Sequence, residues 1–232
     1  IKVATGSLGQ GLSVGVGMAL AAKLQKRAYR TYVLLGDSDL AEGSNYEAFQ
    51  LASFYKLDNI CAIVDVNRLG QRGETMAGHN LEMYKKRLES FGWFVQIIEG
   101  HNLKYILRSL ERARTSEKPS VILAKTFKGK GVSFLQNKEG WHGKALSEQE
   151  LKQALQEIPS AKMPQVHVKK PEKTSFSFKK LKIPSLISFQ NKEISTRETY
   201  GKALSNLTKA NSSIIAIDAE VSNSTFSEEV KK

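Results

Sequence analysis

Thr31-Tyr-Val-Leu-Leu-Gly-Asp-Ser38 and Ile60-Cys-Ala-Ile-Val-Asp-Val-Asn67 decide how this chain folds. Each is an apolar run closed by a polar residue, Asp37 in the first and Asn67 in the second. Ser44 to Tyr55, between them, reads as a helix. The pattern is strand, helix, strand, which places two strands parallel in one sheet. Asp37 and Asn67 then stand at the carboxyl ends of their strands, where open α/β sheets bind ligands. Their oxygens, with a backbone carbonyl near Leu69, suit Mg²⁺ or Ca²⁺, and Mg²⁺ usually also takes phosphate oxygens. Taken singly, an Asp at a strand end also caps a following helix, and an Asn also makes a turn.

Working outward, Leu12 to Lys26 reads as a helix behind the Gly-rich segment Thr5-Gly-Ser-Leu-Gly-Gln-Gly11. Such a segment lets the backbone approach an anion at a helix N-terminus. It serves equally as a packing device, and Gly15 and Gly17 favour close helix packing. Leu81 to Phe91 reads as a helix, Phe94 to Ile98 as a strand, and Leu103 to Ser116 as an amphipathic helix. Ser120 to Thr126 follows Pro119 as a further strand. Ser147 to Ile158 closes the set as a helix, with Ser147 and Glu150 in capping-box spacing. Repeated βα units predict a parallel sheet covered by helices on both faces.

Residues 1–158 form the first expected domain and 159–194 a basic linker. Between Lys162 and Lys182 there are seven Lys and one Glu, half of the net charge of +12 in the 232-residue chain. Pro164, Pro171 and the lack of periodicity make this a solvated connection rather than a nucleic-acid surface. No zinc ligand set or aromatic ladder accompanies the charge, and no apolar stretch reaches membrane-spanning length, so neither nucleic acid nor membrane is expected as a partner. From 195 to 232 a second α/β pattern opens, with Thr196 to Lys209 as helix and Ser213 to Asp218 as strand. The single Cys61 reads as a buried thiol, which favours a cytoplasmic setting. His79, His101 and His167 read as ordinary histidines.

The wording around these elements resembles transketolase. Ala4-Thr-Gly-Ser-Leu-Gly-Gln-Gly-Leu12, Leu35-Gly-Asp-Ser-Asp-Leu-Ala-Glu-Gly-Ser44 and Tyr55-Lys-Leu-Asp-Asn59 are similar to its motifs. So are Asp65-Val-Asn-Arg-Leu-Gly-Gln71, Lys125-Thr-Phe-Lys-Gly-Lys-Gly131 and Trp141-His-Gly-Lys144, all in the same order. Gly-Asp followed about thirty residues later by Asn resembles the thiamine diphosphate motif. One departure is Ser38, where the family often has Gly.

The resemblance implies a thiamine diphosphate enzyme with Mg²⁺, for which Ca²⁺ can substitute. Asp37, Asn67 and the Leu69 carbonyl match the metal ligands. Gly6, Ser7 and Leu8 match the loop lining the cofactor, and Ser38 and Lys128 match further cofactor contacts. His142 matches a catalytic histidine between cofactor and sugar. Arg197 and Ser224 match residues that take the substrate phosphate, a task suited to an Arg fork. Glu42 and Glu47 match glutamates at a homodimer interface. The implied activity moves a two-carbon ketol unit from a ketose phosphate to an aldose phosphate, in the pentose phosphate pathway. Residues 1–158 then match the diphosphate-binding domain and 195–232 the opening of the pyrimidine-binding domain. The resemblance is to an internal section, so this stretch alone is expected to be inactive. The alternatives are another thiamine diphosphate enzyme, of the deoxyxylulose phosphate synthase type, and a non-catalytic relative that binds without turnover.

Overall fold

The computed structural model describes residues 2–158, 180–185 and 193–231. The chain divides into two compact units, 1–163 and 164–232. The expected linker, 159–194, and His167 lie largely or wholly outside the described residues.

The first unit is built on strands β1 (Thr31–Gly36), β2 (Ile60–Val66), β3 (Phe94–Glu99) and β4 (Ser120–Lys125). They form one parallel sheet in the order β1-β2-β4-β3. The helices are α1 (Gly11–Leu24), α2 (Gly43–Phe54), α3 (Leu81–Ser90), α4 (Leu103–Thr115) and α5 (Glu148–Glu157). Each stands within two residues of its expected bounds. Helix α1 stops before Lys26, whose φ of 53° is left-handed. The capping box at Ser147 and Glu150 is formed. The expected α/β architecture is therefore the one observed.

Helices α1, α2 and α3 cover one face of the sheet. Leu12, Val16, Phe49, Ala52, Tyr84 and Leu88 pack there on Val33, Leu35, Val64, Val66 and Leu123. Helix α4 covers the other face, where Ala113 meets Cys61 and Ile122. Burial pushes the Cys61 thiol up to about 12, so it is an inert core thiol. Among the described residues no helix is long and apolar enough to cross a membrane.

Of the two glycines expected to permit close packing, only Gly15 does so. A methyl on Gly15 would overlap the Val33 Cγ2 methyl, whereas one on Gly17 would meet nothing within 4 Å. Val33 is buried and its β-branched side chain is stiff, so it cannot swing aside. Gly15→Ala is therefore expected to destabilise the unit by up to about 2 kcal/mol. Overpacking costs about 1–3 kcal/mol, against up to about 1 gained in helix propensity. A denaturant titration reads this, and a raised midpoint would show that the helix can move off the sheet.

The second unit contains α6 (Thr196–Ala210), the single turn α7 (Ser222–Thr225) and a 3₁₀ segment, Ser227–Lys231. Ser195 caps α6, accepting from the Glu198 amide at 3.3 Å. Gly201 lies against the Phe226 backbone, where a Cβ would clash. The expected strand over Ser213 to Asp218 is not formed, which corrects the sequence reading. A strand is completed by a neighbour's hydrogen bonds, and the described residues of this unit provide none. Ile215 and Ile217 are 66% and 96% exposed in consequence.

Candidate functional site

The site begins where β1 and β2 end side by side. Gly36 faces Asp65 in the ladder, and the next amide, Asp37 N–H, donates to the Asp65 carbonyl at 3.1 Å. Asp37 is 3% exposed. Its Oδ2 accepts from the Arg68 amide at 2.6 Å and from the Thr75 hydroxyl at 3.5 Å. Among the described residues no Lys, Arg or His forms an ion pair with it.

Burial raises the pKa of Asp37 above the ordinary carboxylate value. Hydrogen bonds from the Arg68 and Ser38 amides act against this, and the nearby Asp65 carboxylate adds to it. Asn67 is oriented from both sides. Its Nδ2 donates to Asp65 Oδ1 at 3.3 Å, and its Oδ1 accepts from the Leu69 amide at 3.0 Å. Asp65 is held in turn by the Thr126 hydroxyl. The three expected metal ligands thus share one corner, linked through the Arg68 and Leu69 amides.

Among the described residues no three His, Cys, Asp or Glu side chains converge on a common point. A cation at this corner would rest on one carboxylate and neutral oxygens. A buried carboxylate without an ion pair, near a second carboxylate, fits that donor set.

The Gly-rich segment is tied to this corner by Asp39, a residue that sequence reasoning passed over. Its Oδ1 accepts from the Gly9 amide at 3.0 Å and its Oδ2 from the Gly36 amide at 2.8 Å. Ser44 completes the tie, donating to the Gly9 carbonyl at 2.7 Å. Gly9 has φ +81°, and a Cβ there would come within 2.7 Å of both Ser44 and Glu42. The signal available in the sequence was a second acid two places after Asp37. Gly6, Ser7 and Leu8 are exposed ahead of α1. Gln10 makes no side-chain cap, so the N-terminus of α1 is not closed by its own capping residue. Ser38 opens a 3₁₀ turn, Ser38–Ala41, and its hydroxyl stands beside Gly70 of the Asn67 loop.

Lys128 and His142 are brought together, with Nζ and Nδ1 3.0 Å apart. An ammonium only donates, so Nδ1 accepts and a neutral His142 carries its proton on Nε2. Two histidines expected to be ordinary hold the start of this loop. His79 Nε2 donates to the Thr126 carbonyl at 3.0 Å, and His101 Nε2 accepts from the Phe127 amide at 2.8 Å. The His101 ring also stacks on Phe127 at 6.2 Å. Trp141 packs edge-on to Phe134, with Lys144 4.3 Å from its ring centre.

Glu42 and Glu47 are exposed at the start of α2. Arg197 and Ser224 belong to the second unit, exposed on α6 and α7, which pack together.

Comparison with known proteins follows the same outline. The family model "Transketolase, thiamine diphosphate binding domain" matches residues 1–200. Human transketolase is 44% identical over 99% of the chain, and human transketolase-like protein 2 is 38% identical over all of it. The chain spans 38% of the length of these curated relatives. Among solved structures, the transketolase of Campylobacter jejuni is 39% identical with a TM-score of 0.63. That match covers 67% of this chain and 26% of the other. The Pichia stipitis transketolase, in its complex with sedoheptulose 7-phosphate, is 32% identical with a TM-score of 0.59. It covers 65% of this chain and 24% of its own. On the extent of the family match and these identities, this chain belongs to the transketolase family and carries its thiamine diphosphate-binding domain.

Proposed function

We propose that this chain is the cofactor-binding part of a transketolase. The activity would transfer a two-carbon ketol unit from a ketose phosphate to an aldose phosphate, within the pentose phosphate pathway in the cytoplasm. One observation carries the reading: a buried carboxylate, Asp37, stands without an ion pair beside Asn67 at the ends of adjacent parallel strands. Asp37, Asn67 and the Leu69 carbonyl would hold Mg²⁺ or Ca²⁺. Gly6, Ser7, Leu8 and Ser38 would line the diphosphate, beside the N-terminus of α1. Thiamine diphosphate, when bound, supplies the carbanion chemistry that ketol transfer requires.

The remaining roles fall to side chains of the chain itself. Lys128 would contact the cofactor and hold Nδ1 of His142, leaving Nε2–H as the donor toward a sugar oxygen. Arg197 and Ser224 would bind the substrate phosphate. Glu42 and Glu47, both exposed, would meet a second copy of the chain across a homodimer interface.

The deciding experiment is an assay of ketol transfer by the full-length protein. It should require thiamine diphosphate, stop on chelation and resume with Mg²⁺ or Ca²⁺. Cofactor binding without turnover would favour the non-catalytic relative, and no cofactor binding would sink the reading altogether. Arg197→Ala is expected to raise KM for phosphorylated donors by about 10- to 100-fold, from the loss of charge-assisted hydrogen bonds worth about 1.5–3 kcal/mol. A non-phosphorylated donor should be little affected. Equal losses on both donors would make Arg197 structural.

A further inference from the structure

The loop bearing Lys128 and His142 is joined to the metal corner at its start, where the Thr126 hydroxyl holds Asp65, and again farther along through the side chain of Arg68. Arg68 lies between Asn67 and Leu69, with a left-handed φ of 67°. Its backbone is fully engaged on the corner. The amide donates to Asp37 at 2.6 Å, and the carbonyl accepts from the Thr75 amide at 2.8 Å. Its guanidinium reaches 69 residues along the chain to Asn137. Nε donates to Asn137 Oδ1 at 2.7 Å and Nη2 to the Asn137 carbonyl at 3.0 Å. Nη1 lies 3.6 Å from Glu74 within its own loop. Asn137 is itself left-handed, with φ 58°, and its amide donates to the Lys128 carbonyl at 2.8 Å.

A continuous chain of contacts therefore runs Asp37, Arg68, Asn137, Lys128, His142. A planar fork gripping both the side chain and the main chain of one residue fixes that residue's orientation as well as its distance. Lysine, a single mobile point charge, could not do the same. Two of the five N–H donors of the Arg68 side chain are used on Asn137, and Nη1 faces Glu74.

We propose that Arg68 is a positioning residue. By clamping Asn137 it sets Lys128, and with it His142, in register with the Asp37–Asn67 corner. This rests on the reading of Lys128 and His142 as site residues given above. Misplacing a reacting group by about 1 Å can cost about a hundredfold in rate. A clamp of this kind therefore acts on turnover even though it touches no reactant.

The test uses the full-length protein and three variants. Arg68→Asn keeps a residue tolerant of left-handed φ and keeps the amide on Asp37, but removes the guanidinium. Asn137→Gly keeps the turn and removes Oδ1. Asn137→Asp keeps the acceptor. Hydrogen exchange of peptides covering 127–143 is measured in metal-free protein. Cofactor affinity is measured by calorimetry with Mg²⁺, and kcat and KM with a phosphorylated donor.

Arg68→Asn is expected to speed exchange in that loop about tenfold. It should lower kcat by about 10- to 100-fold, with a clearly smaller fall in cofactor affinity through the displaced Lys128. Asn137→Gly should reproduce these effects, and Asn137→Asp should restore the wild-type values. The double variant Arg68→Asn, Asn137→Gly should be no worse than Arg68→Asn alone.

Unchanged exchange in Arg68→Asn would overturn the proposal. So would losses that add in the double variant, or a fall in cofactor affinity as large as the fall in kcat. If Arg68→Asn does not fold, the contrast between Asn137→Gly and Asn137→Asp decides. Wild-type protein that neither binds cofactor nor turns over would refute the proposed function instead. The exchange experiment, run without metal or cofactor, would still judge the clamp.

Discussion

Replacing Asp37 by alanine in the full-length protein is expected to weaken Mg²⁺-dependent thiamine diphosphate binding by more than about a hundredfold. Loss of a residue that merely orients a metal ligand already costs about 10- to 100-fold. Here the only charged oxygen of the proposed set would go, leaving a divalent ion and a diphosphate with neutral protein ligands. Calorimetry checks it, and affinity within a few-fold of wild type would remove Asp37 from the metal site.

The same residue should affect stability in the opposite direction when no metal is bound. Burial raises the pKa of Asp37 in the folded protein. Between its unfolded and folded values the folded state binds more protons, so this group's contribution falls as pH rises through that window. Above that window the group is a net cost to the folded state. Asp37→Asn retains acceptors for the Arg68 amide and removes the charge. Metal-free Asp37→Asn should therefore melt no lower than metal-free wild type at pH 7. It should also lose the gain in Tm that wild type shows with Mg²⁺ and cofactor. A large drop in the metal-free Tm would mean that Asp37 is a structural strand cap.

Replacing His142 by alanine should lower turnover by about 10²- to 10⁴-fold, the range typical of a positioned proton donor or acceptor. Mg²⁺ and cofactor affinity should stay near wild type, because His142 bonds to Lys128 rather than to Asp37 or Asn67 and meets the metal corner at several removes, through Lys128, Asn137 and Arg68. Steady-state kinetics beside calorimetry separate the two effects. Unaltered kcat would take His142 out of the reaction, and a matching loss of cofactor affinity would place it among the cofactor ligands. His142→Gln keeps a hydrogen-bond donor and should recover part of the loss if Nε2–H acts by donation alone.

The elements of the first unit were legible because their signals are local. The apolar runs at 31–36 and 60–66 are closed by Asp37 and Asn67, and later helices of the unit are marked by caps such as Asn102 and Ser147. Their order already places Asp37 and Asn67 at one end of a parallel sheet. Strand order was not legible, since β4 inserts between β2 and β3 by contacts that no local pattern encodes. Ser213 to Asp218 shows the converse. Its β-branched composition resembles a strand, but a strand requires a partner, and Ile215 and Ile217 are exposed. Gly15 and Gly17 look alike in sequence, and only the position of Val33 distinguishes them.

At the site, residue types announced the chemistry, because a carboxylate or an amide is an oxygen donor wherever it lies. What holds those donors in place was decided by the tertiary structure. Asp39 accepts from amides at Gly9 and Gly36, and Arg68 grips Asn137. These bonds span up to 69 residues, and they require that the ends of β1 and β2 and the loop beyond β4 meet at one end of the sheet.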